Sequence, residues 1–139
     1  MDFASHRFIL AHKQTTSARV RFLRLPDGVL APNPLPAGSI VPAEAEEEAV
    51  PPSPAPLMRS LEMHLGLPLA SLQPAEDFLV QVETPEGAVT VLLAAFTSID
   101  PPFAAAERLG GSFVAIIEAR GLPAIEQQLL RRAYEYLLG

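Results

Sequence analysis

The N-terminal part of the chain alternates apolar and polar side chains in a manner typical of β-strands. Residues 18–25 (ARVRFLRL) place apolar side chains on one face and two arginines on the other, which predicts a half-buried strand. The apolar run at residues 8–12 predicts a second strand paired with it, joined through residues 14–17. A turn at residues 26–28 (PDG) follows, because proline pre-sets φ and glycine tolerates positive φ.

The second half of the chain carries the clearest strand and turn pattern. Residues 78–83 and 88–96 flank the segment TPEG at 84–87, which predicts a β-hairpin. Proline starts a type I turn there, and glycine supplies the residue with positive φ. Because residues 88–96 are apolar on both faces, they are expected to form a central strand. Residues 112–119 predict a further buried strand.

Three segments show the apolar spacing or the end signals of helices. Residues 57–65 predict a short helix that ends at Gly66. Asp100 precedes two prolines and predicts the cap of a short helix that runs through Arg108. Residues 123–138 predict the C-terminal helix, because their apolar side chains recur at helical spacing.

These elements predict an α+β fold. The chain has 139 residues, which fits one domain spanning residues 1–139. We expect a mostly antiparallel sheet of about four strands with the C-terminal helix packed on one face. The shorter helices are expected at the edges of that sheet.

Prolines are concentrated between the N-terminal strands and the second half. Eleven of the 15 prolines lie within residues 26–74, and an acidic run occupies residues 44–48. Each proline removes a backbone donor and restricts the preceding residue, so residues 35–55 are expected to form a mobile or extended loop. The segments at 32–36 and 51–56 are suited to polyproline II, and two interpretations stay open: a ligand for a partner domain, or a stiff connector.

Charge and composition narrow the classes of function. The net charge is −6, yet residues 1–24 hold five basic residues and one acidic residue. The absence of cysteine excludes disulfides, thiolate catalysis and zinc–cysteine sites. No pair of the three histidines has the spacing of a zinc-binding helix, so neither a metal nor a cofactor is expected. No apolar run approaches the ~20 residues of a membrane span, so a cytoplasmic protein without membrane association is expected.

Three residues are candidates for acid–base chemistry. Asp100 and Glu118 fall at or near the ends of predicted strands, and His64 lies in the last turn of a predicted helix. Catalysis requires such groups to converge in space, and spacing along the chain does not establish that. The alternative is structural: Glu118 is an edge-facing glutamate or one paired with Arg120 or another cation, and His64 interacts with the helix dipole.

Two candidate binding surfaces remain. Arg19, Arg21 and Arg24 form the basic cluster of the N-terminal strand, a candidate surface for nucleic acid or another anion, although alternation places Arg19 and Arg21 on one face and Arg24 on the other. The alternative is a solvated strand face, or pairing with the acidic run at residues 44–48. Tyr134 lies on the C-terminal helix with Leu130 and Leu138 at helical spacing, so it marks a candidate face for a partner or a second copy.

The function expected from these features is that of a non-enzymatic accessory or regulatory protein that acts by protein–protein binding, including self-association. The first alternative is a nucleic-acid or anion-binding module that uses the basic N-terminal strand. The second is a small enzyme or ligand-binding protein with a cleft lined by carboxylates and histidine.

Overall fold

Two pairs of strands, one from each half of the chain, lie side by side to form the central sheet. The computed structural model describes residues 5–14, 16–17, 19–42 and 54–138. The strands within these ranges are β1 (His6–Lys13), β2 (Val20–Arg24), β3 (Leu30–Ala31), β4 (Leu72–Thr84), β5 (Gly87–Phe96) and β6 (Ser112–Val114).

The sheet is mixed, with the order β4-β5-β1-β2-β6 and with β3 also paired to β1. All of its pairs are antiparallel except β1 with β5, which run parallel with Phe8 opposite Leu92. The prediction of an α+β fold is confirmed. The expected sheet of about four mostly antiparallel strands is corrected in two respects. Six strands are described, and the β1–β2 and β4–β5 pairs are joined through the parallel contact of β1 with β5. The predicted hairpin and the central position of β5 are confirmed, with Thr84 opposite Gly87.

Helices cover both faces of the sheet. They are α1 (Pro54–Leu65), α2 (Phe103–Arg108) and α3 (Ala124–Leu138), with a 3₁₀-helix at Ile116–Gly121. Leu129 and Leu130 of α3 pack with one set of strand side chains, while Leu61 of α1 and Ala106 of α2 pack with the opposite set. The shorter helices therefore form a second layer and do not lie at the sheet edges as predicted.

Alternation along β1 explains why both faces are covered. Ile9 and Ala11 face the α3 side, whereas Phe8 and Leu10 face the α1–α2 side, and all four are buried. A strand between two apolar layers is a continuous apolar run. Burying both faces thus requires helices on each side of the sheet.

Several predicted boundaries differ from the structure. The strand predicted for 112–119 ends at Val114, and the 3₁₀-helix follows. The residue preceding the first turn of α2 is Pro102, with no side-chain cap, so the predicted capping role of Asp100 is wrong. Helix α1 begins at Pro54, because proline is tolerated in a first helical turn.

The proline-rich segment is described only in part. In its first portion, Ile40 exchanges two backbone hydrogen bonds with Glu83 of β4, with N···O distances of 2.8 and 2.9 Å. Residues 43–53, which carry most of the predicted mobile loop, lie outside the described residues. Within the described ranges, no helix is long and apolar enough to cross a membrane.

Candidate functional site

The three candidate catalytic residues do not form one site. The 3₁₀-helix that carries Glu118 packs on the α3 side, and the Glu118 carboxylate accepts the Ala115 N–H at 2.8 Å as a local cap. His64 lies in the last turn of α1, on the opposite face of the sheet. Asp100 is exposed in the segment before α2. Across the described residues, no group of three potential metal ligands comes together.

The arginine cluster is divided between the two faces of the sheet. Arg19 is exposed and precedes β2. Arg21 points to the α2 side, where its guanidinium carbon lies 6.0 Å from the centre of the Phe103 ring. Arg24 points to the α3 side, where it interacts electrostatically with Glu126. The three arginines therefore do not line one basic surface, as strand alternation indicates, because Arg21 and Arg24 are three residues apart on β2 and point to opposite faces.

The predicted face on the C-terminal helix is also altered. Leu130 is fully buried, Tyr134 is half-buried against the core, and Leu138 is half-exposed. These three residues do not form an exposed stripe. At the end of α3, Lys13 Nζ donates to the Leu137 carbonyl at 2.7 Å, a cation at the negative end of the helix dipole.

A buried glutamate that the sequence reasoning missed organises the connection between α1 and β4. Glu62 is 1% exposed, and its carboxylate accepts the backbone N–H groups of Leu72 at 2.9 Å and Ala70 at 3.2 Å. Arg59, one turn earlier, forms an ion pair with Glu62 at 2.8 Å. The carboxylate thus holds residues 66–71 in place. The sequence signal for this role is the position of Glu62 between Leu61 and Leu65 on the apolar side of α1.

A second buried glutamate lies on the α3 face. Glu126 is 2% exposed, and its Oε1 accepts the Val29 N–H at 2.9 Å. Burial raises the pKa of Glu126, while the Val29 hydrogen bond and Arg24 partly oppose that rise. Gly28 has φ +139°, and a Cβ at that position would overlap the Glu126 carboxylate. The close approach of this loop to α3 therefore requires glycine.

An apolar cleft lies between α2 and the loop that Glu62 organises. It encloses about 580 Å³. We call it the α2 cleft, and its lining residues are Gly66, Leu67, Pro68, Ser71, Phe96, Ser98, Pro102, Ala104, Ala105 and Arg108. This volume is within the range of roughly 300–1,000 Å³ typical of ligand pockets.

Hydrogen bonds fix the walls of the α2 cleft. Arg108 Nη2 donates to the Gly66 carbonyl at 2.8 Å, joining α2 to the end of α1. Thr97 donates its backbone N–H to the Ser71 carbonyl at 3.0 Å, and its hydroxyl donates to the Ala70 carbonyl at 3.0 Å. The cleft is therefore preformed and does not depend on a partner to shape it.

A buried histidine supports the same cleft from the sheet. His12 is 1% exposed, and its Nε2 lies 2.9 Å from the carbonyl oxygen of Ser98, which lines the cleft. Its Nδ1 is buried and has no hydrogen-bond partner among the described residues. With Nε2 as the donor, His12 holds the Ser98 carbonyl in position.

Large exposed apolar side chains lie on the segments that flank the cleft. Leu69 is 76% exposed on the loop that forms one wall, and Ile99 is 89% exposed on the segment before α2. Thr97 links these two segments through the hydrogen bonds described above. Phe103, at the start of α2, is 55% exposed and packs edge-to-face with Phe113. Such a concentration of exposed apolar side chains around a cleft is typical of a protein interaction surface.

A second groove runs between the sheet edge and the C-terminal helix. We call it the β4 groove. It encloses about 520 Å³ between residues Asp77–Val80 of β4 and the side chains of Arg132, Glu135 and Tyr136 on α3. Tyr136 packs edge-to-face with Phe78, with 5.7 Å between ring centres. The groove is on the α3 side, so it is separated from the α2 cleft by the sheet.

The sequence was compared with protein-family models and with curated proteins, and neither comparison gave a match. The α2 cleft and the β4 groove are therefore the surfaces from which a function can be proposed.

Proposed function

We propose that this protein is a non-enzymatic binding protein whose α2 cleft takes an apolar segment of another protein that carries acidic side chains. The observation that supports this most strongly is the combination of a preformed apolar cleft with exposed Leu69, Ile99 and Phe103 around it. Burial of apolar area is the main favourable contribution to protein association. A partner that covers these side chains would remove a large apolar area from water.

The polar groups of the cleft favour binding over acid–base catalysis. Its polar side chains are Ser71, Ser98 and Arg108, none of which exchanges a proton readily near neutral pH. The Ser98 hydroxyl donates to the Asp100 carbonyl at 2.7 Å, so it is already engaged. Asp100, Glu118 and His64 are not among the lining residues. No catalytic role is proposed for them.

Charge indicates which apolar segment fits best. Arg108 lines the cleft, and Arg21 lies over the Phe103 ring on the other side of α2. The lining contains no carboxylate. An acidic side chain on a partner in the cleft would therefore be attracted by Arg108, whereas a basic one would be repelled. Such charges mainly set specificity and association rate, while the apolar contacts supply affinity.

The test uses three synthetic peptides of equal length and measures binding by fluorescence anisotropy. One peptide carries leucines and glutamates, the second has lysines in place of the glutamates, and the third has serines in place of the leucines. The first is expected to bind with a dissociation constant of about 100 µM or tighter. The lysine and serine peptides are expected to bind more weakly.

Three substitutions locate the binding. Ala104→Trp fills the cleft and is expected to abolish binding, while Glu107→Trp adds the same bulk on α2 outside the lining and is the matched control. Arg108→Glu is expected to weaken the binding of the acidic peptide about fivefold and to strengthen the binding of the lysine peptide. Undetectable binding of all peptides, or binding that Ala104→Trp leaves unchanged, would refute the proposal.

A further inference from the structure

The β4 groove has properties of a contact between two copies of this chain. Strand β4 is at the edge of the sheet, paired with β5 on one side. On its other side, the described residues supply backbone pairing at one position, where Ile40 bonds with Glu83. An edge strand with unpaired backbone groups is a template for another strand unless something covers it.

The outward backbone groups near the groove can be identified from the register. In an antiparallel strand, the N–H and C=O of successive residues point alternately to the two sides. Glu83 points away from β5 because it bonds with Ile40. Gln81 and Leu79, two and four residues earlier in the regular part of β4, point the same way. Leu79 also lines the β4 groove, so the groove coincides with a backbone segment that the described residues leave without a partner on this side.

The charges that line the groove are complementary to themselves under two-fold symmetry. Arg132 and Glu135 lie three residues apart on the same side of α3, and both are exposed. The described residues supply neither of them with an ion-pair partner. In a symmetric dimer each surface meets its own copy, so residue i contacts residue j and j contacts i. Antiparallel α3 helices would place Arg132 of each copy opposite Glu135 of the other.

We infer that this protein forms a homodimer in which two copies of β4 pair antiparallel near Leu79 and the two β4 grooves close over each other. The partner is a second copy because an unrelated strand would not be required to present both an arginine and a glutamate at the matching spacing. The half-exposed Tyr136, which packs on Phe78 at the floor of the groove, is buried in this contact. The inference is independent of the α2 cleft, which is on the opposite face.

Charge reversal tests the contact by sedimentation velocity over about 1–100 µM protein. Arg132→Glu and Glu135→Arg are each expected to raise the dimer dissociation constant about tenfold, because each places like charges opposite each other in two symmetry-related pairs. The double variant R132E/E135R is expected to restore dimerisation. An equimolar mixture of the two single variants is expected to form heterodimers, since every facing pair is then opposite in charge.

The controls separate assembly from folding. Arg120→Glu makes the same charge change at an exposed position of the 3₁₀-helix that does not line the groove, and is expected to leave dimerisation unchanged. Circular dichroism checks that each variant keeps its fold. Monomeric wild-type protein across the whole concentration range would overturn the inference. It would also be overturned if neither the double variant nor the mixture restored assembly after the single variants had lost it.

Discussion

Replacing Glu62 with alanine is the most informative test of how the fold is held together. The substitution removes the acceptor for two backbone N–H groups, those of Leu72 and Ala70. Each buried donor left without a partner costs about 1–3 kcal/mol. The Arg59 side chain is 42% exposed and can turn into water, so the loss of its ion-pair partner adds little to the cost of the substitution. We therefore expect a loss of about 3 kcal/mol in the free energy of unfolding.

The assay is chemical denaturation followed by circular dichroism, with the midpoint and slope fitted separately. Arg59→Ala is expected to cost only about 1 kcal/mol, because the carboxylate keeps both backbone donors. Glu107→Ala removes an exposed glutamate from α2 and is the matched control, with little change expected. The reasoning fails if Glu62→Ala costs less than about 1 kcal/mol, or if Arg59→Ala is equally damaging.

Two further substitutions test local strain and buried charge. Ala70 has φ +65°, a conformation in which alanine is strained, so Ala70→Gly is expected to raise stability by about 0.5–1 kcal/mol in the same assay; a loss of stability would contradict this. The pKa of Glu126 is raised chiefly by burial, so its contribution to stability is fully present below its unfolded pKa and is lost as pH rises through the folded pKa. Glu126→Gln should therefore gain stability relative to wild type as pH rises from the unfolded to the folded pKa of Glu126. The measurement is a pair of denaturation curves, one below and one above this pH interval. A stability difference between variant and wild type that does not vary with pH would show the prediction to be wrong.

Local patterns in the sequence predict those helices and turns whose signals come from their own residues. The hairpin at 84–87 depends on four neighbouring residues, and the C-terminal helix depends on spacing within 15 residues. The direction of the β1–β5 pair depends on a contact between segments more than 70 residues apart, which no local pattern specifies. Short strands such as Leu30–Ala31 have too few residues to show alternation.

The candidate sites were harder to predict because they combine side chains from separate loops. The α2 cleft brings residues 66–71, 96–98 and 102–108 together, and its walls are held by buried polar groups. Glu62 and Glu126 were recognisable in part, since both lie on the apolar side of a helix. Their backbone partners, Leu72 and Val29, lie in other parts of the chain and could not be recognised from the sequence. Charge on an apolar helix face is thus a better marker of a loop anchor than of catalysis in this chain.

The positions of the two proposed surfaces have a joint consequence. The β4 groove is on the α3 side and the α2 cleft is on the α1–α2 side, so closing the grooves in a dimer leaves both clefts open. A dimer would then present two identical apolar clefts with a fixed separation. When a partner carries two suitable segments, the second binds at the effective concentration set by its linker, commonly in the millimolar range. Weak binding at each cleft would then suffice for a stable complex, so a single-segment peptide would underestimate the affinity of the intact partner.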